Sequence, residues 1–250
     1  MRVGMVVAVI VFAASSAFAA GFSICAVGDS ITRGGSKFVA YRIALERVLS
    51  ANGWAVEWKG TQAKASWGTD NPCEGYSGNN AQNVANKYVA KASRVAADVL
   101  LLHSGHNYNA DPGTASPAYR AEDDIVAAAT NAHAKIIAAA RGRNPNVIVL
   151  YAKVITSGLA KYSYIPQLNA AIGALASELT TAVSPVVAVD MADGWDYVAD
   201  CVADKVHPSA AGADKMAAKW FAALGAQVKA GRLSVTNALG EGKSLSSRRD

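Results

Sequence analysis

Short runs of apolar, largely β-branched residues recur along the chain at residues 22–27, 55–60, 98–103, 147–154 and 186–189. Polar residues hardly interrupt them, so each predicts a strand buried on both faces rather than one with a wet side. Between the runs lie segments of helical length and period, at about residues 37–51, 81–92, 119–141 and 165–182, with a last one at 209–230. The alternation predicts one α/β domain, a central parallel sheet of about five strands covered by helices on both faces. In such sheets ligands bind where the loops gather at the C-terminal ends of the strands. That singles out four loops: after Val27, from 61 to 80, after His103, and from 190 to 209.

The two ends of the chain stand outside this pattern. Arg2 precedes an apolar run over residues 3–14, followed by Ser15-Ser16-Ala17-Phe18-Ala19. A short apolar run closed by small residues predicts a signal peptide cleaved after Ala19; the alternative, a membrane anchor, would need ~20 apolar residues. The expected product is therefore secreted or periplasmic, without stable membrane insertion. The domain is expected over 20–231, and the Ser- and Arg-containing segment 232–250 is expected to be a mobile tail.

With 52% hydrophobic residues the 250-residue chain can bury a sizeable core, although only 8% are aromatic. The formal charge of +5 dissolves on inspection: Arg2 accounts for +1, and the tail, with four basic and two acidic residues, for +2. The remaining +2 is no footprint for nucleic acid. Three cysteines are present. Cys25 falls in a strand run, whereas Cys73 and Cys201 fall in expected loops, so an exported chain would pair those two. None has the spacing of a thiolate metal site, and no metal is expected.

The chemistry lies in the four loops. Gly28-Asp29-Ser30-Ile31-Thr32 places a serine at the mouth of the sheet, although the same residues also suit a turn or helix cap. Asp204-Lys205-Val206-His207-Pro208 puts an acid three residues before a histidine, so that within one helical turn Asp204 can orient His207. An imidazole held by an acid is the base that a serine nucleophile requires. Gly105-His106-Asn107-Tyr108 offers an amide that can donate to an oxyanion without titrating. In Glu74-Gly75-Tyr76-Ser77-Gly78 either Gly75 or Gly78 could donate an unobstructed backbone N–H. His103 is expected to pack inside its strand, and His133, in mid-helix, to face solvent. The Gly-x-Ser-x-Gly elbow of the α/β-hydrolases is absent.

Together these segments resemble the SGNH (GDSL-type) hydrolase family over nearly all of the chain after residue 19. The resemblance implies a flavodoxin-like three-layer α/β/α sandwich. It implies Ser30 as nucleophile, His207 as base and Asp204 as its orienting acid. The Ser30 and Gly78 backbone N–H groups and the Asn107 side chain would form the oxyanion hole, and no cofactor would be needed. Tyr108 stands where the family usually has Asp, so that loop must be held differently. Asp29, Tyr76, His106 and Tyr108 share the loops and are the candidates for contact with substrate.

Within the family the first two motifs look most like the carbohydrate acetylesterases, including acetylxylan esterases. The expected substrate is a small-molecule or polysaccharide ester, with Trp67, Tyr76, Tyr108, Trp195 and Tyr197 as flat surfaces for sugar rings. The alternatives are a lysophospholipase or thioesterase for longer acyl chains, and an inactive carbohydrate-binding or envelope module on the same fold.

Overall fold

The computed structural model describes residues 21–64, 69–92, 95–108 and 122–235. The expected signal peptide, Trp67 and the tail beyond residue 235 lie outside them. In chain order the elements are β1 (Phe22–Gly28), α1 (Ser30–Arg33), α2 (Tyr41–Ala51), β2 (Val56–Lys59), β3 (Gln62–Lys64), β4 (Thr69–Gly75) and α3 (Ala81–Lys91). There follow β5 (Val99–His103), α4 (Glu122–Arg141), β6 (Ile148–Lys153), α5 (Ile165–Leu179), β7 (Val186–Asp190) and α6 (Ala210–Lys229).

β1 is the centre of the sheet. On one side it pairs in parallel with β5, which continues to β6 and β7. On the other side two strands share its edge: β2 lies against residues 22–25, and β4 reaches Val27 and Gly28. β3 then adds antiparallel to β4. The order β2-β1-β5-β6-β7 is that of a flavodoxin-like sheet, and its switch point falls between β1 and β5.

Because side chains alternate along a strand, a strand buried on both faces feeds two cores. Phe22, Ile24 and Ala26 of β1, with Val99 and Leu101 of β5, face the layer made by α2 and α6. Cys25 and Val27, with Leu100 and Leu102, face the layer made by α3, α4 and α5. The helices answer with single stripes: Ala81, Val84, Ala85 and Tyr88 on α3, and Ala213, Met216, Ala217, Trp220 and Leu224 on α6. Each fully buried Leu or Ile stabilises the fold by about 1.5–3 kcal/mol, so the sheet centre dominates stability. Leu233 packs into the second core, two residues beyond the domain end expected at Gly231. Among the described residues no helix is long and apolar enough to cross a membrane.

Two expectations are corrected. The segment 61–80 is not all loop, since it contains the β3–β4 hairpin. Consequently Cys73 is a strand residue, buried among Ile24, Leu45 and their neighbours. Cys201 instead lies in a bridge with Pro208. All three cysteines are buried free thiols, and the expected Cys73–Cys201 disulfide is absent.

Candidate active site

The nucleophile candidate is set by the end of β1. A Cβ on Gly28 would lie 2.0 Å from the His103 carbonyl oxygen and 2.3 Å from Thr32 Oγ1, so only glycine lets β1 end this close to β5. Asp29 then caps the four-residue α1, accepting from the Ile31 N–H at 3.0 Å. Ser30 follows as the first helical residue. Arg42, buried on α2, donates to the carbonyls of Thr32 at 2.8 Å, Arg33 at 3.1 Å and Asn71 at 2.5 Å, which ties α1 to β4.

Ser30 Oγ lies 2.8 Å from His207 Nε2, and His207 Nδ1 lies 2.7 Å from Asp204 Oδ2. The spacing of three works for a reason other than the helical turn expected. The segment is a turn with Lys205 at φ 58°, and the other Asp204 oxygen accepts from the Val206 and His207 N–H groups, both at 2.9 Å. Burial pushes the Asp204 carboxyl up, but the hydrogen bonds from His207 and Val206 outweigh it and hold it below the usual carboxylate value. An ionised carboxylate only accepts, so Nδ1 carries the ring proton and Nε2 accepts from the Ser30 hydroxyl.

Sequence reasoning missed the Phe38 ring, which stacks on the imidazole at 3.9 Å between centroids and 20° between planes. Phe38 lies within the apolar stretch expected to open the α2 helix. The helix starts only at Tyr41, and Lys37 and Phe38 form part of the cleft instead.

The cleft over this group has a volume of about 430 Å3. Ser30, Asp204, His207, Asn107 and Gly78 line it, together with Ser77 and the loop 34–38. Gly78 adopts φ 72° with open space where a side chain would stand. Gly75, by contrast, pairs with Gly28 inside the sheet, with Arg33 backbone atoms 2.6 Å from its Cβ position. Of the two glycines, only Gly78 faces the cleft. Asn107 is left-handed at φ 65°, a conformation Asn tolerates, and its side-chain N–H donates to the Asn79 carbonyl at 3.1 Å. That bond fixes the Asn107 amide against the Gly78 loop.

The four expected substrate contacts do not line the cleft. Asp29, Tyr76, His106 and Tyr108 are all buried behind it. The Tyr76 hydroxyl donates to Glu74. Tyr108, in the place of the family's Asp, turns into the core edge-on to Tyr164, whose hydroxyl donates to the Gly105 carbonyl. Of the expected aromatic surfaces, Trp195 packs on the second core and Tyr197 against Gly158, and neither lines the cleft, while Trp67 lies outside the described residues. His103 is buried as expected. His133 is not exposed: it lies on the inner side of α4 with Nδ1 2.5 Å from the Tyr151 hydroxyl.

A flavodoxin-like sheet with this side-chain arrangement at its switch point defines the protein as an ester hydrolase. The chain belongs to the GDSL-like lipase/acylhydrolase family, whose model matches residues 26–215. Among solved structures it is similar to a carbohydrate esterase family 3 protein from Talaromyces cellulolyticus, with 25% identity and a TM-score of 0.69 over 83% of this chain and 98% of that one. A Clostridium thermocellum family 3 carbohydrate esterase shares 24% identity and a TM-score of 0.64, covering 84% and 98%. An acetyl esterase mutant with acetate ion shares 24% identity and a TM-score of 0.67, covering 83% and 98%. No curated protein matches the chain.

Proposed function

We propose that this protein is an exported serine esterase that removes small acyl groups, acetyl above all, from carbohydrate. The reading is carried by the Ser30–His207–Asp204 chain of 2.8 and 2.7 Å contacts at the floor of an open cleft. His207 takes the Ser30 proton as Oγ attacks the ester carbonyl. The Ser30 and Gly78 N–H groups and the Asn107 amide receive the oxyanion. Collapse expels the sugar alcohol with the proton from His207, and a water activated by the same base releases the acid. Export rests on the short apolar run and Ala17-x-Ala19 at the N-terminus.

Small acyl specificity is supported by the cleft lining. Phe38 is its single large apolar side chain among the described residues, and that ring is already committed to the imidazole. Each buried methylene is worth ~0.8 kcal/mol only where apolar groups receive it, so a long alkyl chain gains little here. Carbohydrate as the acyl carrier is supported by the likeness to the family 3 carbohydrate esterase at 25% identity. The test compares kcat/KM for acetyl, butyryl and octanoyl esters of one leaving group, then acetate release from acetylated xylan. The expected order is acetyl first and octanoyl last, with acetate released. An octanoyl preference without acetate release would place the protein with the lysophospholipases and thioesterases.

A further inference from the structure

Asp29 and His106 do not reach the cleft, yet each immediately precedes a residue that does, Ser30 and Asn107 respectively. Their side chains meet behind it. Asp29 Oδ1 is occupied by the Ile31 N–H, while Oδ2 faces His106 Nδ1 at 3.8 Å. Both of these facing atoms are buried without a hydrogen-bond partner among the described residues, although the backbone N–H groups of Asp29 and His106 also stabilise the Asp29 carboxylate. The other ring nitrogen of His106, Nε2, lies 3.1 Å from the Ile155 carbonyl oxygen. A carbonyl can only accept, so Nε2 carries the ring proton. A neutral ring then presents a bare lone pair at Nδ1 to an oxygen that, if ionised, is also only an acceptor. Two buried acceptors in that arrangement repel, and each forgoes solvation at a cost of ~1–3 kcal/mol. One proton placed between them removes both penalties.

We propose that Asp29 and His106 share one proton and act as a positioning pair, which joins the turn carrying Ser30 to the turn carrying Asn107. The inference rests on the reading of Ser30 as nucleophile and Asn107 as oxyanion donor. The 3.8 Å gap closes to an ordinary hydrogen bond with a shift of about 1 Å. Burial assigns the proton: it pushes the Asp29 carboxyl up to about 7 and the His106 imidazole down to about 4. The titratable rings around the pair are His103, stacked on His106 at 6.0 Å, and Tyr162, edge-on at 5.3 Å, with Tyr41, Tyr164 and His207 farther out. None of these supplies the missing contact to Oδ2 or Nδ1. Neither member touches substrate. Their work is to hold the nucleophile and an oxyanion donor at a fixed separation, which is the quantity that acyl transfer depends on.

The test uses Asp29→Ala, His106→Ala, the double variant and Asp29→Asn, assayed for kcat and KM on an acetyl ester. Each alanine strands one buried acceptor, so kcat should fall by roughly tenfold or more while KM moves less than about twofold. The double variant removes both acceptors and should be no worse than the poorer single variant. Asp29→Asn keeps an oxygen for the Ile31 N–H and offers an N–H to Nδ1, so it should restore kcat to within about threefold of the parent. In 15N NMR, His106 should stay Nε2-protonated from about pH 5 to about pH 8, with Nδ1 hydrogen-bonded below about pH 7 and released as Asp29 ionises above it. Multiplying losses in the double variant, an Asp29→Asn variant as poor as Asp29→Ala, or a freely titrating His106 would each overturn the pair. If the alanine variants fail to fold, Asp29→Asn and the NMR measurement still decide. Labelling of Ser30 by a fluorophosphonate in the parent protein separates the two claims: intact labelling with multiplying losses removes only the pair, whereas absent labelling removes the reading beneath it.

Discussion

Three contacts act on the His207 ring, and each removes a different freedom. Asp204 fixes the tautomer through Nδ1, Ser30 occupies Nε2, and Phe38 covers one face. An imidazolium formed during attack would sit against an aromatic face, an arrangement worth ~0.5–1 kcal/mol at partly exposed sites. Asn107 is constrained comparably, by its left-handed backbone and its bond to the Asn79 carbonyl. An amide nitrogen has two N–H groups, so one holds the side chain in place and the second remains for the oxyanion. Asn107→Ala should therefore lower kcat by about 10²–10³, with little change in KM, because the bond strengthens as charge develops on the oxygen. Steady-state kinetics on an acetyl ester checks this. An unaltered kcat with a large rise in KM would make Asn107 a ground-state binding residue instead.

The strands at the sheet centre were legible because burial on both faces leaves little but apolar residues in them: β1, β5, β6 and β7 lie within about a residue of their expected bounds. β4 was not. Thr69-Asp70-Asn71-Pro72-Cys73-Glu74-Gly75 has neither an apolar run nor alternation, and becomes a strand through pairing with the end of β1 and with β3. Missing β4 made Cys73 look like a loop cysteine and so produced the disulfide that the structure lacks. The start of α2 misled in the opposite sense, since Lys37-Phe38-Val39-Ala40 is apolar enough to read as helix, but Lys37 and Phe38 line the cleft while Val39 packs on the second core and Ala40 is buried. Candidate site residues were legible as chemistry rather than as location. Ser30, Gly78, Asn107, Asp204 and His207 come together at one cleft. Asp29, Tyr76, His106 and Tyr108 are equally polar or amphipathic in sequence, and nothing in a single chain reveals that their side chains point inward.

Across the whole molecule, three histidine rings and the Asp29 carboxyl are buried behind the cleft. Burial lowers His103 and His133 to about 3 and His106 to about 4, from a usual 6.5. Between those values the unfolded chain binds more protons than the folded one, so this stability is present above pH 6.5 and is lost as pH falls toward 4. Asp29, raised to about 7, opposes it: its contribution is full below its ordinary 3.8 and is lost as pH rises through about 7. Three histidines against one carboxyl leave a net loss on acidification. Tm should therefore fall steadily as pH is lowered from about 7 to about 4.5, and a flat or rising Tm would contradict the burial of these rings. The same fold brings the ends of β1 and β5 and the loop before α6 to one point, and the account stands or falls on that point being Ser30. The most direct test is fluorophosphonate labelling followed by mapping of the adduct in the parent protein and in Ser30→Ala. A single adduct on Ser30 is expected, absent from a Ser30→Ala protein that stays folded and turns over esters only at background. An adduct on another residue such as Ser77, or parental activity retained by Ser30→Ala, would contradict it.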